Sequence, residues 1–460
     1  GGAGIGGGTS KSANGGNSGT IIIYGDTVTA NSGAGTVTGA GIGGGADAGD
    51  NVGGAGSNIT IYGGSVTAAS TGTQLGGAGI GGGGGNNDGG TGENINIYGG
   101  TVNATGGNLG AGIGGGGSST IDDSSYKSGD GAVTISGGTV TAVGSNYAAG
   151  IGGGGGYYYS YTWGGTTYGN GCTGGTGSVT ITGGIVDASS PTDVAYADYK
   201  GAPIGNGGNT TAAATVSKTN AIVFENGAGT VCGDVTLDGS YTVPGDYTLN
   251  IPLGASLSGS GTLSGGGTFT TENLTADMIS VPTNLYYDGK DRTEYLTTEL
   301  SGELDKGITI CGQTFTVSGW TVAVSRTDDL HYTATFENTD NSTTFQKTIT
   351  LQQSGTMLDG AVKTYNGDTQ TTTFTASDTI TVKATPTATG QAPANSAMFA
   401  ASFTGPGAGQ MAVFVGDTQV SAPADKGADG TYTMTVSAAD VLVAAGGPGT
   451  GITLTAKFVG

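Results

Sequence analysis

Short runs of alternating apolar and polar residues recur in a fixed order through the first half of the chain. The run Asn58-Ile-Thr-Ile-Tyr-Gly-Gly64 alternates with the period of a β-strand, so its two isoleucines share one face. The next run, Ser65-Val-Thr-Ala68, places its valine and alanine on one face in the same way. A Gly-Gly pair between the two runs predicts a tight turn. Each pair of runs therefore predicts two short strands, each with one buried face.

A Gly-rich motif completes the repeat. The sequence Gly-Ala-Gly-Ile-Gly-Gly-Gly recurs at intervals of 33 to 38 residues, with a degenerate copy at 201–205; its central isoleucines are Ile5, Ile42, Ile80, Ile113 and Ile151. A fixed order of elements at this period is typical of a solenoid. Three short walls per coil, with crossovers of the usual hand, predict a right-handed parallel β-helix.

The glycine content supports a packed structure rather than a flexible linker. The chain has 100 glycines in 460 residues without a collagen-type Gly-X-Y period. A flexible linker would not keep isoleucine and valine at matching positions from one repeat to the next. Glycine is expected instead at corners with positive φ and where backbones approach closely.

The repeat pattern weakens after Ala188, and we expect the final coils and a C-terminal cap to extend to about residue 274. Beyond this point glycine becomes rarer and longer alternating runs appear, without the pattern of an amphipathic helix. This predicts an all-β chain with a β-helix over 1–274 and two Ig-like β-sandwich modules over 275–353 and 354–460.

These motifs resemble the Gly-rich β-helix regions and immunoglobulin-like modules of large surface proteins from Gram-positive gut bacteria. The resemblance is carried by the Gly-rich coils, by Asn250-Ile-Pro-Leu-Gly-Ala-Ser-Leu257 and by Phe374-Thr-Ala-Ser-Asp-Thr-Ile-Thr-Val-Lys383. It implies a secreted or cell-surface bacterial protein that is adhesin-like or carbohydrate-binding-like, with no defined active site. Because Gly1 lies within a repeat and is not preceded by methionine, the sequence is expected to be a fragment or a processed product.

Charge and cysteine usage limit the partners and cofactors. The net charge of −21 and the absence of a basic stripe argue against nucleic-acid binding, and no run is long and apolar enough for membrane insertion. Three distant cysteines, Cys172, Cys232 and Cys311, give neither a disulfide framework nor metal-ligand spacing. Aspartate and asparagine in the inserts match turn chemistry better than a Ca²⁺ motif. No cofactor or metal is predicted.

An enzyme is the least favoured interpretation. Many parallel β-helices cleave polysaccharides, and a lyase of this kind needs a cationic or general-base side chain. Residues 1–274 contain no arginine and no histidine. A hydrolase needs two facing carboxylates, whereas Asp122 and Asp123 are adjacent in a loop and Asp187 is alone on its strand.

The insert that follows the fifth Gly-rich motif has the densest group of aromatic residues in the chain. Its candidate binding residues are Tyr157, Tyr158, Tyr159, Tyr161, Trp163, Tyr168 and Asn170. Tyrosine and tryptophan offer flat apolar faces with a polar tip, which suits stacking on sugars or anchoring a protein partner. Packing of the same residues on the side of the β-helix is an equally open alternative.

Three functions are consistent with these patterns. The first is a non-enzymatic extracellular rod whose loops bind a glycan or a host or cell-surface protein. The second is a filament subunit that binds copies of itself through open β-helix ends. The third is a polysaccharide-active enzyme.

Overall fold

The computed structural model describes residues 1–119, 125–163, 166–192, 199–283, 285–287, 291–328, 330–340, 342–353, 362–384, 410–429, 431–447 and 452–459. Its contacts divide the chain into two compact units. One unit comprises Gly1–Leu274 and Leu304–Gly319, and the other comprises Thr275–Glu303 and Trp320–Gly460.

The first unit begins with a stack of coils in which three walls each contribute one short parallel strand per coil. The glycine wall consists of Ile5–Gly6, Ile42–Gly43, Ile80–Gly81, Ile113–Gly114, Ile151–Gly152 and Ile204–Gly205. The isoleucine wall consists of Ile21–Ile23, Gly56–Ile61, Gly92–Ile97, Gly131–Ile135, Gly177–Ile181 and Thr215–Lys218. The valine wall consists of Thr27–Asn31, Ser65–Ala69, Thr101–Thr105, Thr139–Val143, Ile185–Ser189 and Ala221–Glu225. The predicted parallel β-helix is confirmed for this first stack.

The predicted inward columns are confirmed in the core of the first stack. Ile61, Ile97 and Ile135 occupy paired positions on consecutive strands, and all three have no exposed surface. Val66 and Val102 are paired in the same manner on the valine wall. Because no coil could bury these side chains alone, each coil depends on its neighbours for stability.

At the glycine of each strand, the glycine wall brings backbones too close together for any side chain. Gly81 has φ +136°, and a Cβ atom at this position would lie 2.0 Å from the carbonyl oxygen of Gly114. Gly43 and Gly114 have the same conformation and meet the same obstacle in the next coil. Here glycine is required both by the backbone angle and by the close approach of the next strand.

Two of the inward columns of the first stack end in an ion pair. Lys218 occupies the position paired with Ile181, and Glu225 occupies the position paired with Ala188. The ammonium group of Lys218 contacts the carboxylate of Glu225. Charged residues thus replace isoleucine and alanine where the next coil of this stack would begin.

The strand Ala221–Glu225 has two buried faces. Ala221 and Val223 belong to the core of the first stack, whereas Ile222 and Phe224 belong to a second core on the opposite face. The chain then turns back, and Ala228–Cys232 pairs antiparallel with this strand. The prediction of one uninterrupted parallel stack over 1–274 is therefore corrected.

A second, shorter stack follows this reversal. Thr248–Ile251 and Thr268–Thr271 continue the valine wall in parallel with Ala228–Cys232. Two further ladders pair Asp234–Thr236 with Ser256–Ser258 and Ser240–Val243 with Thr262–Gly265. These coils enclose the second core, which includes Val231, Leu249 and Phe269.

The reversal does not change the hand of the coils. The second stack reverses the strand direction on the valine wall and also encloses the opposite face of that wall. Either change alone would invert the hand of the winding, and the two together preserve it. The junction is therefore compatible with the strong preference for right-handed crossovers, which remains the prediction for both stacks.

A hairpin that we assigned to the first Ig-like module belongs to the β-helix unit. Gln313–Val317 pairs with Thr268–Thr271 and extends the valine wall, and Ile308–Ile310 pairs with Gln313–Val317. The ring of Phe315 is fully buried, with its centroid 5.3 Å from that of Phe269. The hairpin covers the end of the second core, which corrects its predicted place in a sandwich.

The second unit contains antiparallel sheets and two described helices. One sheet contains Trp320–Arg326, His331–Asn338 and Thr344–Thr350; another contains Thr369–Gln370, Val362–Asn366, Thr379–Ala384 and Tyr432–Ser437; a third contains Thr418–Gln419, Gln410–Val415 and Thr455–Val459. Tyr286–Tyr287 pairs with Gln352–Gln353, and Ala276–Met278 forms a 3-10 turn. Apart from the hairpin already assigned to the first unit, the Ig-like modules over 275–353 and 354–460 stay a prediction.

The helices of this unit correct our expectation of none. They span Thr293–Asp305 and Ala438–Ala444. In the longer helix Leu296, Leu300 and Leu304 are buried, and their spacing of four residues places them on one helix face. Ser437 caps the shorter helix by accepting a hydrogen bond from the Asp440 amide.

Candidate functional site

The aromatic insert folds as a β-hairpin that leaves the first stack between the glycine wall and the isoleucine wall. Tyr158–Trp163 pairs antiparallel with Thr166–Gly171. The coil on either side keeps its register, because Ile113 pairs with Ile151 in the glycine wall and Gly131 pairs with Gly177 in the isoleucine wall. The stack therefore accommodates a projecting hairpin without any change in its own ladders.

The pairing of the hairpin gathers five of the seven candidate residues on one face. Residues directly opposite each other in an antiparallel pair share a face, as do residues two apart on one strand. Tyr159 is opposite Asn170, Tyr161 is opposite Tyr168, and Trp163 follows Tyr161 by two residues. We call this set, Tyr159, Tyr161, Trp163, Tyr168 and Asn170, the aromatic face. The side chains of residues 158–170 lie outside the described part of the structure.

The other two candidate residues do not share this face. Tyr158 is paired with Gly171 and alternates with Tyr159, so its register position is on the opposite face. Tyr157 precedes the hairpin and packs with Leu75, Leu109 and Tyr147 on the side of the first stack. For Tyr157 the alternative of packing against the β-helix is thus the correct one.

The base of the hairpin is fixed to the coils through Cys172. The buried thiol of Cys172 donates a hydrogen bond to the Ser118 carbonyl (3.1 Å), and the Tyr157 amide donates to its sulfur (3.1 Å). The Asn209 side chain donates to the Cys172 carbonyl over 2.7 Å. Burial raises the pKa of the Cys172 thiol, which keeps it protonated as a hydrogen-bond donor. The two ends of the hairpin that join the first stack are therefore held in place.

Aspartates in the other inserts accept hydrogen bonds from backbone amides. Asp47 is buried and accepts hydrogen bonds from the amides of Gly49 (3.1 Å) and Asn51 (2.8 Å). Asp88 accepts from the Lys127 amide at 2.7 Å. The Asp47 contacts fit the predicted turn chemistry, whereas Asp88 bonds to the insert of the next coil.

Asp130 bonds to Thr176 in the next coil and also forms an ion pair. Burial alone would raise the pKa of Asp130, but hydrogen bonds from Lys127 and Thr176 lower it below its usual value. The Lys127 ammonium lies 2.8 Å from its carboxylate. Asp122 and Asp123 lie outside the described residues. Within the residues that the structure does describe, no three His, Cys, Asp or Glu side chains converge as a metal site would require.

A separate group of aromatic residues is the exposed ladder of Tyr24, Tyr62 and Tyr98 on the isoleucine wall. Successive ring centroids are 5.1 Å apart, with interplanar angles of 6° and 11°. The predicted outward stacking is confirmed. The central ring, Tyr62, stacks on both neighbouring rings. The ladder therefore stabilises the coils and leaves less ring surface open to a ligand than separate aromatic residues would.

Sequence reasoning missed a cluster around Asp187. The Tyr247 hydroxyl donates a hydrogen bond to Asp187 Oδ2 over 3.1 Å, and the Phe224 ring centroid lies 5.5 Å from that of Tyr247. We described Asp187 as isolated because its partners come from the second stack, whose position depends on the unpredicted reversal. The local signal was the replacement of the outward threonine of earlier coils, such as Thr141, by an acid.

Comparison with known proteins identifies the repeat but no relative. A family model described as a beta helix repeat matches residues 21–46, 59–84, 95–117 and 133–155, all within the first stack. This agrees with the observed coils and supports a β-helix protein. Searches of curated proteins and of solved structures gave no match. In the described part of the chain, no helix combines the length and apolar character needed to cross a bilayer.

Proposed function

We propose that this protein is a non-enzymatic, adhesin-like scaffold of the bacterial cell surface that binds glycans through the aromatic face of its hairpin. The observation that carries the proposal is the hairpin register, which places Tyr159, Tyr161, Trp163 and Tyr168 together with Asn170. Aromatic rings can stack on the apolar faces of sugars, and an amide can bond to their hydroxyls. The coils supply a rigid base for this surface.

The charge and chemistry of the first stack favour binding over catalysis. Residues 1–274 have no arginine or histidine. The insert acids already accept hydrogen bonds, Asp47 within its own turn and Asp88 and Asp130 from residues of the next coil. Neutral glycans suit such a surface better than anionic ones, since the chain has a net charge of −21. An enzyme of the polysaccharide-cleaving type is therefore not our proposal.

The arrangement of the coils also disfavours the filament alternative. A copy adding to the end of the first stack would need to continue all three walls. At that end the valine wall is already continued by the chain itself, because Ala228–Cys232 pairs with Ala221–Glu225. The hairpin Ile308–Val317 then extends the same wall at the far end of the second stack. The described residues thus provide no matching pair of open ends.

Glycan binding should disappear when the aromatic face is truncated. We expect the double variant Tyr159→Ala, Trp163→Ala to lose its glycan-array signal while its melting temperature changes by no more than about 2 °C, as for surface substitutions. The affinity of the unmodified site is expected to be about micromolar to millimolar, and several sites on one surface would strengthen it.

The hairpin itself offers a matched control. Ser160 and Thr162 alternate with the mutated residues and belong to the other face. The variant Ser160→Ala, Thr162→Ala should keep the signal, as should Tyr62→Ala in the tyrosine ladder. If binding survives in the aromatic double variant but is lost in Tyr62→Ala, the glycan site is the tyrosine ladder and not the hairpin. A sharp fall in melting temperature would show that the aromatic residues are packing groups.

A further inference from the structure

The two stacks of the first unit meet on opposite faces of the shared strand Ala221–Glu225, and an acid lies at this junction. Asp187 is on the adjacent strand of the valine wall, paired with Phe224, and faces the second stack. The corresponding positions of earlier coils are the uncharged residues Thr29, Thr67, Asn103 and Thr141. The charge thus appears only at the coil that the second stack covers.

Only one of the two carboxylate oxygens of Asp187 has a hydrogen-bond donor. Its Oδ2 accepts the hydrogen bond from the Tyr247 hydroxyl. Its Oδ1 is buried, and no described group donates a hydrogen bond to it. A buried acceptor without a donor is costly, and the cost is greater when the group is ionised. Protonation would remove the charge.

The groups that face Asp187 do not supply a compensating positive charge. They are the Thr141 hydroxyl on one neighbouring strand, the Phe224 ring on the other, and the phenols of Tyr241 and Tyr247 from the second stack. Among the described residues, the other charged group that acts on this cluster is Asp246, whose charge acts on Tyr247. The Lys218–Glu225 pair is on the other face of the shared wall, in the columns of the first core.

We propose that Asp187 makes the junction between the two stacks sensitive to acid, so that the junction is tighter when this carboxyl is protonated and looser when it is ionised. The geometry supports this because ionisation places an uncompensated negative charge between two apolar layers. Protonation leaves a neutral group that still accepts from Tyr247. Protonation of Asp187 would thus stabilise the junction in an acidic environment, where many proteins lose stability.

The sign of the pH dependence follows from the carboxyl group. Burial raises the pKa of Asp187, and the hydrogen bond from Tyr247 offsets this only in part. In an unfolded chain the pKa of an aspartate is about 3.9. Stability from this residue therefore increases as the pH falls through the raised folded pKa, and the gain is complete below the unfolded pKa.

The two phenols stay neutral throughout this window. Burial, followed by the charge of Asp187, raises the pKa of both Tyr241 and Tyr247 to about 12. Neither phenol therefore titrates between weakly acidic and weakly alkaline pH. A change in the junction over that range cannot come from them.

Hydrogen exchange of the junction strands tests the proposal. Exchange rates of peptides covering Ile185–Ser189 and Ala221–Cys232, corrected for intrinsic exchange, would be measured from about pH 8 to about pH 4. In the unmodified protein we expect protection of these peptides to rise several-fold across this range. In Asp187→Asn this rise should be absent, and its protection at high pH should exceed that of the unmodified protein.

Two further variants make the result decisive. Asp187→Thr introduces the residue that Thr141 provides in the preceding coil, and it should behave as Asp187→Asn even if the amide is poorly tolerated. Asp238→Asn removes an exposed acid of the second stack and should keep the full pH response. The proposal is overturned if either Asp187 variant keeps the response, if Asp238→Asn abolishes it, or if both Asp187 variants fail to fold.

Discussion

Replacing Gly81 by alanine should prevent the glycine wall from forming around its coil, at a cost of at least about 3 kcal/mol. Two effects combine at this position. The backbone has φ +136°, which an L-residue rarely adopts, and the new Cβ would lie 2.0 Å from the Gly114 carbonyl oxygen. Neither can be relieved locally, because the obstacle is backbone that is itself paired in the next coil. Thermal and urea unfolding followed by circular dichroism would measure the loss.

Gly25 provides the control for this substitution. A Cβ at Gly25 would meet nothing within 4 Å, and this glycine does not have the left-handed φ that disfavours side chains. Gly25→Ala should therefore change the free energy of unfolding by no more than about 0.5 kcal/mol. Equal losses for the two variants would show that the glycine wall is looser than the structure indicates.

Truncation of a core isoleucine should have the second largest effect. Ile97 has no exposed surface and lies between Ile61 and Ile135 in its column. Ile97→Ala removes its contacts with both neighbours, and the ladders above and below limit how far the site can collapse. We expect a loss of about 2–5 kcal/mol in the free energy of unfolding, measured by urea denaturation.

The neighbouring outward position shows whether the register is correct. Thr134 lies next to Ile135 on the following strand and has partial solvent exposure. Thr134→Ala should cost well under about 1 kcal/mol. If this variant were destabilised as strongly as Ile97→Ala, the assignment of inward and outward faces would be wrong.

The coils of the first stack were predictable because local and long-range signals agree in them. An alternating strand such as Asn58–Tyr62 fixes which side chains face inward, and repetition of the same run fixes its partner in the next coil. Glycines at equal positions mark the wall where backbones approach most closely. Each of these signals is visible by comparing one repeat with the next.

The junction was not predictable by the same reasoning. We interpreted the chain after Ala188 as a weakening of one repeat. The run Ala221-Ile-Val-Phe224 is continuously apolar, which is typical of a strand buried on both faces. That pattern indicates two cores but does not indicate that the next strand pairs antiparallel. The helix Thr293–Asp305 was missed for a simpler reason. Its threonines favour strands, and Ser301 and Gly302 are weaker helix formers than alanine or leucine.

The candidate site was predicted as a group of residues but not as a surface. Composition alone identified an aromatic insert, and the position of the insert in the repeat placed it outside the walls. The pairing of Tyr161 with Tyr168 depends on where the hairpin turns, which no periodic signal in this loop specifies. For the same reason Tyr157, which precedes the hairpin, could not be separated from its neighbours by sequence.

The shared strand Ala221–Glu225 also imposes an order on folding. Ile222 and Phe224 contribute to the second core, but their strand is held in place by its pairing with Ile185–Ser189 of the first stack. The second stack therefore lacks the first strand of its valine wall, with Ile222 and Phe224, until the fifth coil has formed. Because the first stack is also synthesised earlier, it can serve as the template on which the later coils assemble. Refolding should accordingly be sequential. Destabilising substitutions in the first stack should delay formation of the second stack, whereas substitutions in the second stack should not delay formation of the first.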